Sequence, residues 1–245
     1  MIRVKNISKS YSVEGRALQV LNNFSIEFDQ GTITALVGPS GCGKSTFVRL
    51  MSGLEVPDDG HIDFGAIPRN ATISVAFQDH GLLEWRTVRQ NIMLPLELKG
   101  LPVDHGAIDS LVRSVGLQGF EDVYPDQLSG GMKSRASLAR ALVLQAPVVL
   151  LDEPFRSLDE ITRFEVANDA LELLRSRRQT VIFVTHSVSE AVRLADAVAV
   201  VTPRPMRVYK IYKVDTDPEQ RKAIGGTEVA KIITSVQAAL AEVRV

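Results

Sequence analysis

Apolar and polar residues alternate around Phe24, Ile26 and Phe28, the period of a strand with one covered face. Gly31 then turns the chain, and residues 32–37 form a short, largely apolar and β-branched run that reads as a second strand. From 45 to 54 the period changes: Phe47, Leu50, Met51 and Leu54 recur at helical spacing. Pro57-Asp58-Asp59-Gly60 reads as a turn, and residues 61–64 and 72–77 as further strands. Residues from about 87 to 144 read as mostly helical, with interruptions expected at Pro95, Gly100-Leu101-Pro102 and Tyr124-Pro125. The strands at 148–151 and 181–184 are apolar at consecutive positions, as strands buried on both faces of a parallel sheet are. Between them Ile161, Phe164, Leu171 and Leu174 place one apolar stripe on a helix.

This pattern predicts an α/β chain: a βαβ sheet domain over residues 1–215 with a helical subdomain inserted near 87–144. A tail, 216–245, follows Pro218 and Gly225-Gly226, with Val229, Ile232, Ile233, Val236, Leu240 and Val243 on one helical face. Packing of that face on the chain's own domain is the expectation; docking of a partner or regulatory ligand is the alternative.

Composition narrows the classes. Hydrophobic residues make up 45% of 245, enough for a substantial core, and the formal net charge is -1. That balance gives no electrostatic reason to expect nucleic acid as a partner. One cysteine, Cys42, excludes an intrachain disulfide. The opening Met1-Ile2-Arg3-Val4-Lys5 leads into no apolar stretch of signal-peptide length, and the longest apolar runs fall far short of a membrane span. The expectation is a cytoplasmic chain that reaches a membrane only through a partner.

The chemistry starts at Gly38-Pro39-Ser40-Gly41-Cys42-Gly43-Lys44-Ser45, which fits G-x-x-x-x-G-K-[ST] between a predicted strand and a predicted helix, with Thr46 following. Glycines let the backbone wrap phosphate oxygens, and exposed amides at a helix start favour the anion. Lys44 supplies an ammonium for the β- and γ-phosphates, and the Ser45 hydroxyl can ligate Mg²⁺. Cys42 reads as a tolerated small residue of the loop rather than a redox centre. Further along, the strand at 148–151 ends in Asp152-Glu153. Asp152 can hold Mg²⁺ through its water shell, and Glu153 is placed to accept a proton from attacking water. Gln78 and His186 also end apolar strands, where each is ambiguous alone.

Leu128-Ser129-Gly130-Gly131-Met132 opens a helix about twenty residues before the acidic strand. With the phosphate loop it resembles the signature of the ATP-binding-cassette (ABC) ATPases. The resemblance runs over residues 2–208 and takes in, in order, Tyr11, the loop, Gln78, the signature, Asp152-Glu153, Ser157-Leu158-Asp159 and His186. It implies a P-loop NTPase (RecA-like) core with an antiparallel β subdomain and the inserted α-helical subdomain, and an ATPase using ATP and Mg²⁺. On that resemblance Tyr11 stacks on adenine, and His186 contacts the γ-phosphate. Gln78 senses metal and water and couples the site to a membrane partner, and Asp159 reaches across a dimer interface. Ser129, Gly130 and Gly131 serve ATP held by the opposite subunit, so the active unit is a homodimer. Its partners would be transmembrane permease subunits and, indirectly, a substrate-binding protein, with the chain peripheral on the cytoplasmic face of the membrane.

Two departures stand out: Met132 where the signature usually ends in Gln, and Phe155-Arg156-Ser157 where Gly-Ala is common. Phe77-Gln78, the segment Leu82-Leu83-Glu84-Trp85-Arg86-Thr87-Val88, Asn91-Ile92, Asp152-Glu153-Pro154-Phe155 and Pro203-Arg204-Pro205 are similar to the nitrate, sulfonate and taurine importers, although Glu84 replaces a customary Pro. Trp85, the one tryptophan, is read as part of a partner-facing groove, with ordinary core as the alternative. An exporter or lipoprotein-release ATPase is a competing reading, as is a soluble ABC ATPase acting on nucleic acid or ribosomes. The latter usually carries paired cassettes, coiled-coil arms or zinc modules, none of which this sequence has.

Overall fold

The computed structural model describes residues 1–68, 71–158, 160–216, 221 and 227–243. The strands are β1 (Ile2–Val13), β2 (Arg16–Phe28), β3 (Ile33–Val37), β4 (Asp59–Asp63), β5 (Ile73–Ala76), β6 (Val148–Asp152), β7 (Thr180–Thr185), β8 (Ala197–Val201) and β9 (Val208–Lys213). The helices are α1 (Lys44–Met51), α2 (Val88–Leu98), α3 (His105–Ser114), α4 (Gly130–Leu142), α5 (Glu160–Ser176), α6 (Val188–Leu194) and α7 (Thr227–Glu242). They fall into two compact units, Met1–Ala71 with Thr180–Val245, and Thr72–Gln179.

In the first unit β1 runs antiparallel to both β2 and β4. The β1–β2 hairpin turns through Glu14-Gly15, both with positive φ, a two-residue loop whose twist matches that of paired strands. Long as it is, β1 carries no clean alternation, because its register against β2 shifts at three places. Asn6 and Asn23 sit at positive φ, which Asn tolerates better than most residues, and the Ser25 and Ser8 hydroxyls accept hydrogen bonds from their amides. In the same unit β3 lies between β7 and β8, parallel to both, with β9 antiparallel at the edge. All of β3 and β7 is buried, which is why each reads as a continuous apolar run. On α1, Phe47 packs its ring 5.0 Å from Phe24 and 6.2 Å from Phe28, fixing the helix that follows the phosphate loop onto β2.

The tail helix α7 belongs to this unit and packs on α6, β8 and β9. Val229, Val236, Ala239 and Leu240 are buried, whereas Ile232, Ile233 and Val243 are half-buried. The apolar face covers its own sheet edge.

In the second unit β5 and β6 are parallel, with Ala76 opposite Leu151. The helical stretch packs α2 against α4 and α3, and α3 against α4. Pro95, expected to interrupt, lies inside α2. Its missing N–H costs only one bond near the helix's end, where the ladder is already running out. The fully buried Asn91 secures the other end: its side chain accepts from Leu83 N at 2.8 Å and donates to the carbonyls of Leu83, Arg86 and Thr87. A capping box between Thr87 and Gln90 closes the first turn. Trp85 is 74% exposed and so is no core residue.

Candidate active site

The loop over residues 38–43 leaves β3 and enters α1 at Gly43, whose φ of 125° few side chains adopt. No side chain caps this helix, so its first amides point into the loop. A Cβ on Gly43 would lie 2.8 Å from Val20 Cγ1, and one on Gly38 would lie 2.4 Å from Val201 Cγ2. Both glycines are therefore demanded by packing against β2 and β8. Lys44 is only 6% exposed and donates from Nζ to the carbonyls of Gly38 (2.8 Å) and Pro39 (2.9 Å). An ammonium has three N–H donors, and the third reaches only the weak acceptor Cys42 Sγ, at 3.9 Å. Ser40 and Gly41 are exposed; Pro39, Ser45 and Thr46 are half-buried. Burial pushes the Cys42 thiol above its usual pKa, and its Sγ lies 3.9 Å from Met206 Sδ, consistent with a packing role.

Also in the first unit, Tyr11 stands on β1 opposite Leu18. Its hydroxyl donates to Glu55, and burial, then that carboxylate, raises its pKa. The residue is half-buried, and Lys9 Nζ stands over its ring, 5.8 Å from the centroid. His186 is exposed at the end of β7. Its turn is set by the buried pair Thr185 and Glu190: Thr185 Oγ1 donates to Glu190 Oε2 at 2.5 Å and accepts from Ser187 N at 3.0 Å. Ser187 then caps α6 by accepting from Glu190 N at 3.3 Å.

The second unit assembles the other candidates. Because β5 and β6 are parallel and in register, the exposed Gln78 and the pair Asp152-Glu153 emerge at the same end of the two strands. Asp152 is 4% exposed, and Glu153 takes a positive φ of 47°. A non-glycine residue there costs on the order of 1 kcal/mol, strain held at the point where a carboxylate leaves the sheet. Ser129 caps α4, accepting from Met132 N at 3.3 Å. That contact uses only the backbone of residue 132, so Met in place of Gln leaves it unchanged. A Cβ on Gly131 would sit 3.0 Å from Leu158 Cδ2 and 3.1 Å from the Ser157 carbonyl. The start of α4 thus rests on the turn that follows Glu153, with the exposed Gly130 beside it. Asp159 lies outside the described residues.

One link here has no signature in the sequence. Arg140, on α4, donates to the carbonyls of His80 and Gly81, both at 2.6 Å, clamping the segment after Gln78 to the signature helix. Ser134 Oγ lies 3.5 Å from His80 Nδ1 on the same face. Burial, then the Lys133 charge, lowers the His80 pKa, so the ring is neutral there at pH 7. Arg140→Ala is expected to destabilise the fold by about 2 kcal/mol, since bonds to a charged donor are lost. Thermal melts should show Tm lower by about 4–8 °C, and hydrogen exchange should accelerate at 78–81. An unchanged melt and exchange pattern would remove the clamp.

Residues 21–156 match the family model described as ABC transporter. An ABC transporter ATP-binding protein of Methanocaldococcus jannaschii is 40% identical over 96% of this chain and 90% of its own length. The aliphatic sulfonates import ATP-binding protein SsuB of Bacillus subtilis is 38% identical over 84% of this chain and 82% of its own. The taurine import ATP-binding protein TauB of Jannaschia sp. is 37% identical over 87% and 82%. Among solved structures, the dimeric form of the bacterial ABC transporter cassette MJ0796 superposes with a TM-score of 0.79 at 27% identity, covering 89% of this chain and 100% of that one. The same cassette in a post-hydrolysis state with ADP and Pi gives 0.78 at 26% identity, with the same coverage.

Proposed function

The chain belongs to the ABC transporter family, and from that premise we propose that it is the ATP-hydrolysing subunit of an importer for a small anion or sulfonate-like solute. The observation that carries the reading is the buried Lys44, folded over a glycine loop whose helix has no side-chain cap. Such a cradle binds a polyphosphate: backbone amides and the helix start take the oxygens, and the ammonium takes the charge between β and γ. Relatives named for aliphatic sulfonate and taurine import support the solute class.

The roles follow from each residue's chemistry. Tyr11, tethered through its hydroxyl, offers a ring face to adenine. Glu153 receives the proton of the attacking water, and His186 and Gln78 hold the γ-phosphate and that water. Ser45, Gln78 and Asp152 offer hydroxyl, amide and carboxylate oxygens, the hard donors that suit Mg²⁺. When bound, Mg²⁺ neutralises the charge building on the phosphates. The exposed Ser129 and Gly130 and the half-buried Gly131 at the start of α4 serve ATP on a second copy, so the working unit is a homodimer; the dimeric structural relative supports this. No helix among the described residues is long and apolar enough to cross a membrane. The solute path is therefore assigned to permease subunits, with Trp85, Leu98 and Leu101 as exposed apolar contacts for them on the membrane's cytoplasmic face and a substrate-binding protein beyond.

The test is phosphate release from MgATP by the purified chain and by Ser129→Arg. Wild type should turn over, and the variant should lose about 100-fold or more of kcat with ATP affinity nearly intact, because Ser129 serves the other copy's site. Equal turnover in both would overturn the shared site. No turnover by wild type, even with permease subunits present, would overturn the ATPase reading.

A further inference from the structure

Tyr11, on β1, is tied to the helix that begins at the phosphate loop, but at that helix's far end. The Tyr11 hydroxyl donates to Glu55 Oε2. Glu55 lies just beyond α1 and is held back onto it twice. Its backbone amide donates to the Arg49 carbonyl at 3.3 Å, and its Oε1 lies 3.6 Å from Arg49 Nη1. The Glu55 side chain is 23% exposed against 54% for Arg49, so the carboxylate sits inside this contact rather than at its rim. Lys44 stands at one end of α1 and the Arg49–Glu55 link at the other, so one short helix carries both the phosphate loop and the hold on the ring.

We propose that Glu55 is a positioning residue for the nucleotide: its carboxylate anchors the Tyr11 hydroxyl, so that the ring stands at a fixed reach from the phosphate loop for a base to stack on. The inference rests on Tyr11 being the adenine platform. A tyrosine ring held only at its Cβ swings between χ1 wells, and each swing carries its face off a bound base. A bond at the hydroxyl, the point farthest from the backbone, stops that motion. Two other groups also approach the ring. Thr46 faces the hydroxyl from the first turn of α1, and Lys9 Nζ lies over the ring, 5.8 Å from its centroid. Thr46 offers a neutral hydroxyl, whose bond is about half as strong as one to a carboxylate. Lys9 is at the outer limit of cation–π contact and is already bound to Asp58 at 3.0 Å and to the Val56 carbonyl at 2.8 Å. The carboxylate is the dominant tether. Its contribution is preorganisation: the ring loses its freedom on folding rather than on binding, and ATP affinity gains the difference.

The experiment compares, in the full chain, equilibrium affinity for MgATP with affinity for inorganic tripolyphosphate and Mg²⁺, which presents phosphates without a base. Tyr11→Ala removes the platform and should weaken ATP binding by about five- to 150-fold, the range of a base stack. Glu55→Ala leaves the ring but frees it, so ATP affinity should fall by about fivefold, the low end of that range, with KM raised and kcat unchanged. Glu55→Leu, which keeps the bulk but offers no acceptor, should match it. Glu55→Gln, which keeps an accepting oxygen, should recover most of the ATP affinity. Tripolyphosphate affinity should not move in any of these variants. Tyr11→Phe, lacking the hydroxyl, should reproduce the Glu55→Ala loss, and the two together should lose no more than either alone. Wild-type ATP affinity in Glu55→Ala and Glu55→Leu, an equal loss for ATP and tripolyphosphate, or additive losses in the double variant overturns the proposal. Failure of the platform itself is separately visible, because Tyr11→Ala would then bind ATP like wild type.

Discussion

Phosphate release from MgATP is expected to fall about 100- to 10,000-fold in Glu153→Gln, the range that a positioned general base supplies. The substitution keeps size and hydrogen-bonding shape and removes only the ability to accept a proton. The left-handed turn at Glu153 and the 3.2 Å contact with Arg156 can both survive it, so ATP binding should be retained. If ATP is shared between two copies as proposed, stopping hydrolysis should leave it there, and size-exclusion chromatography with MgATP should show a dimer more populated than in wild type. Near-wild-type hydrolysis would remove Glu153 as the base; loss of ATP binding instead would show that the residue supports the site structurally.

The sequence made the reactive groups legible and left out most of what holds them. Residues 38–45 and Asp152-Glu153 were readable because phosphate binding and water activation demand particular residue types at fixed spacing beside a buried strand. Arg140 and Glu55 were not, because each acts on a partner that chain folding, rather than spacing, brings near. Arg140 reaches carbonyls about sixty residues back along the chain, and Tyr11 meets Glu55 from the connection between α1 and β4. Two local signals were nonetheless present: Thr87 with Gln90, and Ser187 with Glu190, have the spacing of capping pairs and mark the starts of α2 and α6.

β1 and β8 went unread as strands for different reasons. The alternation of β1 is broken by its register shifts at Asn6 and its neighbours. β8 is a short apolar run that periodicity alone cannot tell from helix. Pro95 misled because the cost of a proline depends on where in a helix it falls, and near the end it is small. Arg156 was visible as a departure, but only the turn at Glu153 shows which group it faces.

Lys44→Ala should weaken ATP binding by about 100- to 10,000-fold, as expected for losing charge-assisted bonds to two phosphates. The geometry adds a second consequence. Lys44 is 6% exposed and is the donor to the Gly38 and Pro39 carbonyls, so alanine removes a cation and also the tie that shapes the loop. Those carbonyls lose a charged donor, and the fold should weaken by about 2–4 kcal/mol. The two effects separate in the Lys44→Met variant, whose apolar stem refills the volume while still lacking the charge. If the cation is what binds phosphate, both variants lose ATP affinity to the same extent although their melting temperatures differ. If the loop's shape is what matters, Lys44→Met recovers affinity along with stability. Nucleotide affinity close to wild type in both variants would mean that residues 38–45 are a turn without a phosphate, and the ATPase assignment would lose its foundation.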